Sequence, residues 1–468
     1  MNMRFGKDTD MTQGSIVKRL LGFSIPMMLG LLFQQLYSTV DALVVGKFVD
    51  VDALAAVGNN ASLINTVVGT FAGLATGASV VISQAYGAHD DETLSRAVHT
   101  TIAMTFILCV LGTFVGVLAA KPLLGLAKIK EAHVKEMALE YLRIYFWGVS
   151  GLMVYNMGTG ILRAVGDSTR PVVFLVITAV INTVLDLLFV LVFHLRVAGV
   201  AYATIISQFI SAILVLLTLM QAKGAYQLKL RRIRIHGDIV KRVLRLGLPS
   251  SLQAAVTSFS NVFVQAYINS LGKAGMAGWT VYGRLDAFLV VPVQAISMAS
   301  TTVVSQNWGA GLKKRAKDGA NKAIYLSLAV TAALCVILIL LAEPLVKQFV
   351  QPEESEAINA EAIEFGVYFI RIITPFYVLI CFNQIYSGAL RGIGISVSPT
   401  VVMLSSFVAF RQLYLYVFSK RLFPSNRLVI ALAFPMGWVM CSALLILLFF
   451  LSPLGRARSD EGLPKTTQ

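Results

Sequence analysis

Twelve long apolar runs follow one another along the chain, separated by short polar connections. They extend from Ile16 to Val45, Ala53 to Ala85, Ala97 to Ala120, Ala138 to Leu162, Val172 to Phe193, Ala198 to Leu219, Val240 to Ile268, Met276 to Val304, Ala320 to Leu341, Ile363 to Leu390, Val401 to Phe418 and Leu428 to Leu451. A helix crosses the hydrocarbon core of a bilayer with about 20 predominantly apolar residues, so each run is long enough for one crossing. The pattern predicts an all-α polytopic membrane protein with about twelve transmembrane helices.

Composition agrees with the pattern. The chain is 57% hydrophobic and 13% charged, roughly half the charged fraction of about 25% found in soluble domains. So few polar side chains do not cover a water-facing surface of this size, and the apolar residues must face lipid. The first run follows a polar, charged leader and is too long for the core of a secretory signal, so no cleavable signal peptide is expected. Cys109, Cys335, Cys381 and Cys441 all fall inside apolar runs, which predicts small buried hydrophobes and no disulfide.

The formal net charge of +15 raises the question of nucleic acid, but the position of the charges answers it. Lys and Arg concentrate in connections on the side of the N-terminus: Lys223, Lys229, Arg231, Arg232, Arg234, Lys241, Arg242 and Arg245 after run 6, and Lys313, Lys314, Arg315 and Lys317 after run 8. The opposite side carries the acidic Glu353, Glu354 and Glu356. Basic residues are retained on the cytoplasmic side of a membrane protein. The expectation is therefore a multi-pass protein of the cell membrane with both termini cytoplasmic. Its basic clusters set topology and meet lipid headgroups, with no nucleic-acid partner.

The chain also repeats itself. Val17-Lys18-Arg19 with Pro26 returns as Val240-Lys241-Arg242 with Pro249, and Ser83-Gln84-Ala85-Tyr86-Gly87-Ala88 as Ser305-Gln306-Asn307-Trp308-Gly309-Ala310. Leu162-Arg163-Ala164-Val165-Gly166-Asp167-Ser168 with Pro171 returns as Leu390-Arg391-Gly392-Ile393-Gly394-Ile395-Ser396 with Pro399. The offsets are 223, 222 and 228 residues. Three matches in the same order mark a duplication of six runs. Six is even, so both copies cross the membrane in the same sense, as parallel repeats with a cavity near the midplane. The predicted organisation is an N-terminal lobe over residues 1–220, a basic cytoplasmic linker over 221–237, a C-terminal lobe over 238–452 and a polar cytoplasmic tail over 453–468.

Over nearly its whole length the chain resembles the multidrug and toxic compound extrusion (MATE) family. The resemblance rests on Gln34-Gln35-Leu36 with Val40-Asp41 and Val45-Gly46, on the two Ser-Gln-x-x-Gly-Ala segments, and on the two Leu-Arg-x-[Val/Ile]-Gly-x-Ser-x-x-Pro segments. Asn182-Thr183-Val184-Leu185-Asp186 followed by Ala198-Gly199-Val200-Ala201 completes it. It implies two six-helix lobes arranged in a V, exporting amphipathic, often cationic, compounds in exchange for protons or sodium. The partners it implies are a small amphipathic substrate and the lipid bilayer, with the chain acting as a monomer.

An ionisable group inside a membrane helix costs at least ~3 kcal/mol and is a functional candidate by default. Counting along the runs puts Asp41, Asp186 and Thr204 at similar depth, and Asn182 lies four residues before Asp186, on the same helix face. Two carboxylates, an amide and a hydroxyl are hard oxygen donors, suited to a shared proton or a partly dehydrated alkali cation. The resemblance implies the same set, Asp41, Asn182, Asp186 and Thr204, as the N-lobe cation site of the DinF-like branch. Pro26 leaves a carbonyl of run 1 without its helical partner and is the candidate hinge. Candidate cavity residues are Gln34, Gln35, Tyr37, Met153, Tyr155, Asn156, Asn261, Gln265, Arg284, Asp286, Met298, Asn383 and Gln384. Met and aromatic side chains adapt to varied apolar ligands, and amides bond either polarity. Asp286 reads equally as a substrate counter-ion or as the partner of Arg284, Arg371 or Arg411.

The sequence has no phosphate-binding Gly-x-x-x-x-Gly-Lys-[Ser/Thr] loop and no Gly-x-Ser-x-Gly or His-Glu-x-x-His motif, and its five histidines are scattered. No enzyme, catalytic residue, resident metal or cofactor is expected, and H⁺ or Na⁺ serves as coupling ion. A flippase for a lipid-linked precursor stays open beside the exporter, since it would use the same fold with a more basic cavity.

Overall fold

The computed structural model describes residues 9–49, 51–126, 131–349, 356–423 and 426–458. Side chains of several helical residues between 37 and 63, Tyr37 and Asp41 among them, lie outside the described residues.

Among the described residues the fold is all-α, with twelve long helices in two six-helix repeats. They are α1 Ile16–Phe48, α2 Val51–Gly87, α3 Asp91–Leu126, α4 Ala132–Ala164, α5 Thr169–Leu187, α6 Arg196–Gln221, α7 Gly237–Asn269, α8 Gly272–Gly309 and α9 Lys313–Leu340. Helix α10 runs over Glu356–Ile373 and, past one 3₁₀ turn, Tyr377–Gly392; α11 begins at Val397–Leu404, and α12 is Arg427–Leu451. Ten stretches are long and apolar enough to cross a membrane among the described residues. Helices α4 and α7 match them in length, at 33 residues each, but carry more polar side chains, including Arg143 and Glu140 in α4 and Arg242 and Arg245 in α7.

The chain forms two compact units, residues 1–11 with 25–252, and residues 12–24 with 253–468. In unit 1, α4 packs on α2, α3 and α6, and α5 lies on α6. In unit 2 the same pairings recur one repeat later: α10 packs on α8, α9 and α12, and α11 on α12. Small residues permit these approaches. A Cβ at Gly77 of α2 would strike the backbone of Gly247 and Val243, and one at Gly278 of α8 would strike the backbone of α10 at Gly366. Without water inside the bilayer to drive association, close backbone packing of this kind holds helices together.

The repeated motifs are turns. Gly166 and Gly394 end α4 and α10 with φ of 85° and 94°, a left-handed conformation that costs glycine nothing. In each turn the next residue closes back on the helix, Asp167 N to Leu162 O and Ile395 N to Leu390 O, both at 2.9 Å. In unit 1 Asp167 then starts α5: its Oδ1 accepts from the amides of Thr169 and Arg170, each at 3.1 Å, and its Oδ2 pairs with Arg170 at 3.1 Å.

The basic connection after α6 is ordered against α3. His99, 2% exposed, accepts at Nε2 from the Lys229 amide at 3.0 Å; Thr100 meets His236 Nδ1 at 2.9 Å, and Arg96 pairs with Asp238 at 2.9 Å. This segment therefore belongs structurally to unit 1.

Candidate functional site

Each unit holds a cavity lined by side chains from five of its helices. In unit 1 a void of about 180 Å³ lies among α1, α2, α4, α5 and α6, lined by Gln34, Tyr155, Asn156, Thr178, Asn182 and Thr204, with Arg163 and Gln208 also at its wall. Its polar surface is built by helix-borne side chains that first satisfy their own backbone. Thr204 donates to Val200 O at 2.9 Å, Thr178 to Phe174 O at 2.9 Å and Asn156 to Leu152 O at 2.9 Å. Ser211 then donates to Thr178 Oγ1 at 2.9 Å, tying α6 to α5. Tyr155 reaches Pro171 O at 3.2 Å and fixes the start of α5 against α4.

Asn182 is fully buried at this wall, and Asp186, one turn further along α5, is fully buried behind it. Immediately after Asp186 the helix loosens into a π-helical turn, Leu188–Val192. Such turns recur at functional sites because they break the regular ladder and re-aim side chains. Asp41 sits on α1, but its side chain, like that of Tyr37, lies outside the described residues. Pro26 lies inside α1, which stays helical through it, and is half-buried one residue before the cavity-lining Met27.

Unit 2 has a larger cavity, about 530 Å³, among α7, α8, α10, α11 and α12. Asn261, Gln265, Asp286, Asn383 and Gln384 line it, together with an aromatic wall of Trp279, Tyr282, Phe434 and Trp438. Trp279 stands 4.9 Å from Tyr282 and 5.4 Å from Phe434 between ring centroids, and the Tyr282 hydroxyl meets that of Tyr377 at 3.0 Å. Asn383, 1% exposed, is held by Ser442, which donates to its Oδ1 at 2.8 Å. Arg411, 4% exposed, enters from α11.

The remaining sequence candidates lie elsewhere. Arg284 lines a separate pocket with Lys273 and Phe349, its guanidinium 5.9 Å from the Phe349 ring. Met153 is 1% exposed and packed in the core of unit 1, where a Cβ on Gly112 would meet it. Gln35 and Met298 line neither cavity. Conversely, Thr178, Ser207, Gln208 and Ser211 line the first cavity without having been singled out, and Arg163, named only as part of a repeated motif, joins them. Thr178 lies four residues before Asn182, and Ser207 and Ser211 lie three and seven after Thr204. These helical spacings carried the signal.

The two cavities occupy corresponding places in the repeat. The 222-residue offset carries Val68 onto Val290, 223 carries Gln34 onto Thr257, and 228 carries Leu152, Tyr155 and Asn156 onto Ile380, Asn383 and Gln384. All are cavity residues.

A family model described as MatE matches residues 26–188 and 249–417, one segment in each repeat. The probable multidrug resistance protein YpnP of Bacillus subtilis is 28% identical over 413 residues, covering 88% of this chain and 91% of its own. The FAD transporter of Shewanella oneidensis is 22% identical, covering 83% and 85%. Among solved structures, an outward-facing multidrug resistance MATE family transporter of the MOP superfamily superimposes with a TM-score of 0.87 at 26% identity, over 96% of this chain and 99% of that one. A MOP superfamily transporter from Pyrococcus furiosus, described as having a binding pocket of reverse polarity, gives 0.89 at 25% identity over 96% and 99%.

Proposed function

The chain belongs to the MatE family, whose members are membrane transporters and not enzymes, and from that premise we propose that it is a secondary active exporter. It moves amphipathic, cationic drugs or toxic compounds out of the cell in exchange for H⁺ or Na⁺, across the cell membrane, with both termini on the cytoplasmic side. The observation that carries this reading is the unit 1 cavity, where Asn182 and Thr204 face a void and Asp186 lies buried one turn behind. A carboxylate with no exposed surface in a membrane helix is costly to keep charged, so a proton or a coordinated cation there changes the energy of the surrounding helices.

In this mechanism Asp186 takes up the coupling ion together with Asp41 of α1, with Asn182 and Thr204 as neutral oxygen donors. Two neighbouring carboxylates repel when both are ionised, so ion entry relieves that repulsion and draws α1 toward α5 and α6. Pro26, lacking an amide hydrogen, lets α1 bend without breaking a hydrogen bond there. The bend shrinks the cavity and displaces substrate. Transport is thus an exchange, because one cavity does not hold both occupants.

Purified protein in proteoliposomes, given ethidium under an imposed proton gradient and separately under a sodium gradient, tests the reading. Ethidium accumulates against its concentration difference with one gradient and equilibrates with the other, and Asp186→Asn removes the accumulation. A response to neither gradient, or undiminished accumulation by the variant, overturns it.

A further inference from the structure

Arg411 is a buried cation whose described partners are all neutral. It is 4% exposed. Its Nη2 donates to Asn261 Oδ1 at 2.8 Å and to Ser260 Oγ at 3.0 Å, and its guanidinium carbon lies 4.9 Å from the centroid of the Phe434 ring. Its Nε has no acceptor, and no carboxylate lies within ion-pair distance among the described residues. An uncompensated charge in a membrane interior is strongly unfavourable, and a structural role would be served by a neutral amide. The guanidinium is a planar fork of donors matched to a carboxylate, and it borders a cavity large enough for a multi-ring molecule.

The helix around Arg411 departs from α geometry on both sides. Arg411–Tyr414 is a single α turn between two π-helical stretches, Ser405–Phe410 and Leu415–Leu422. Gln412 donates to Ser260 O and Oγ, each at 3.0 Å, so α11 is pinned to α7 where the guanidinium enters the cavity. The acid that lines the same cavity, Asp286, comes from α8 and makes no ion pair with Arg411. Acid and base therefore stay apart, with the aromatic wall available to a ligand that joins them.

We propose that Arg411 is a carboxylate-binding group of the unit 2 cavity, which gives the transporter a preference for planar aromatic substrates bearing a carboxylate over the corresponding esters. The aromatic side chains stack on the ring system, Arg411 forks onto the carboxylate, and Asp286 faces any cationic part. This rests on the export reading and narrows its substrate class from simple cations to amphoteric aromatic compounds.

Two xanthene dyes that differ only at one group provide the test: rhodamine 19, a free carboxylic acid, and rhodamine 6G, its cationic ester. Equilibrium binding to detergent-purified full-length protein is followed by fluorescence anisotropy, and the readout is the ratio of acid to ester affinity. The wild type favours the acid. Arg411→Gln, which keeps an amide donor, lowers the ratio about tenfold, the loss expected for a charge-assisted hydrogen bond. Arg411→Lys recovers most of that ratio. A variant that weakens both dyes equally marks a purely structural arginine and overturns the proposal, as does an unchanged ratio. Ester binding and gradient-driven transport without any preference for the acid overturn this proposal and leave the export reading standing. Failure to bind either dye overturns both.

Discussion

The two repeats place equivalent cavities among equivalent helices, yet furnish the wall formed by α5 in one and α11 in the other with different chemistry. Carried from one copy to the next, Asp41 becomes Val264 at the α1 offset of 223. On α5, Thr178 and Asn182 correspond to Phe407 and Arg411, an offset of 229, one residue more than the 228 that relates α4 to α10. Asp186 then becomes Leu415, fully buried in an apolar cluster that also contains Val264. Thr204, at the offset of 231 that relates Arg196 to Arg427, becomes Pro435. Every member of the proposed ion site thus has a counterpart that neither takes a proton nor binds a cation. The extra residue on α11 falls beside Ser405–Phe410, a π stretch without a counterpart on α5. A π turn closes its hydrogen bond over one more residue than an α turn, so an inserted residue is absorbed and Arg411 is turned to the position of Asn182. Packing was conserved between the copies while the chemistry of one cavity wall was exchanged.

The largest expected effect comes from exchanging that chemistry. Asp186→Leu, which gives α5 the residue of α11, reduces gradient-driven dye accumulation in proteoliposomes to background. The double variant Asp186→Leu/Leu415→Asp does not restore it, because position 415 lacks the amide and hydroxyl neighbours of α5 and α6. Restored coupling would show the two cavities to be interchangeable. Next, Pro26→Ala slows export about tenfold, on the order of 1.4 kcal/mol in the barrier, while Pro249→Ala, its counterpart on α7, changes it less than twofold; initial rates of dye efflux decide. Equal effects would remove the asymmetry between the hinges.

Packing, in contrast, should respond alike in both units. Gly77→Ala on α2 and Gly278→Ala on α8 each lower thermal stability in detergent by roughly 1–3 kcal/mol, since the added methyl meets backbone that has little room to move. A cost in one unit alone would break the structural half of the comparison. The smallest effect concerns Asp90, which caps α3 by accepting from the Thr93 amide at 2.9 Å. Hydrogen bonds from the Thr93 hydroxyl and amide hold its carboxyl below the usual value for aspartate. Asp90→Ala costs about 1 kcal/mol at neutral pH. Because the folded-state pKa is depressed, that contribution is complete above the unfolded value of about 3.9 and disappears as pH falls through the lower folded one. Melting curves of wild type and variant therefore converge in acid and separate above about pH 4.

Much of this was legible in the residues because membrane helices obey a short-range rule. Apolar runs of sufficient length become helices whatever their neighbours, and the runs at Val172 and Leu428 correspond to α5 and α12 within a few residues. The α5 pair was legible for a similar reason: Asn182 and Asp186 are four apart on one helix, so their shared face follows from helical geometry alone. The cavity walls were less so. Gln34, Tyr155, Asn156, Asn261, Gln265, Asp286, Asn383 and Gln384 do line the voids. Met153, of the same residue class, packs into the core, and Arg284 faces a different pocket. Residue type reports what a side chain is able to do, while the rotation of its helix against four others decides where it points.

By itself, then, the sequence determined the number of crossings, the duplication and the turn motifs that punctuate it, since each depends on contacts within a few residues or on composition. The left-handed glycines at Gly166 and Gly394 belong to this class. Tertiary structure alone decided which polar residues converge. The π stretches of α11 alter which face is presented, because a π turn spans one residue more than an α turn and residue spacing along the sequence does not report that change. For that reason Arg411 reads in the sequence as a stray charge in a membrane helix, and in the fold as the counterpart of Asn182.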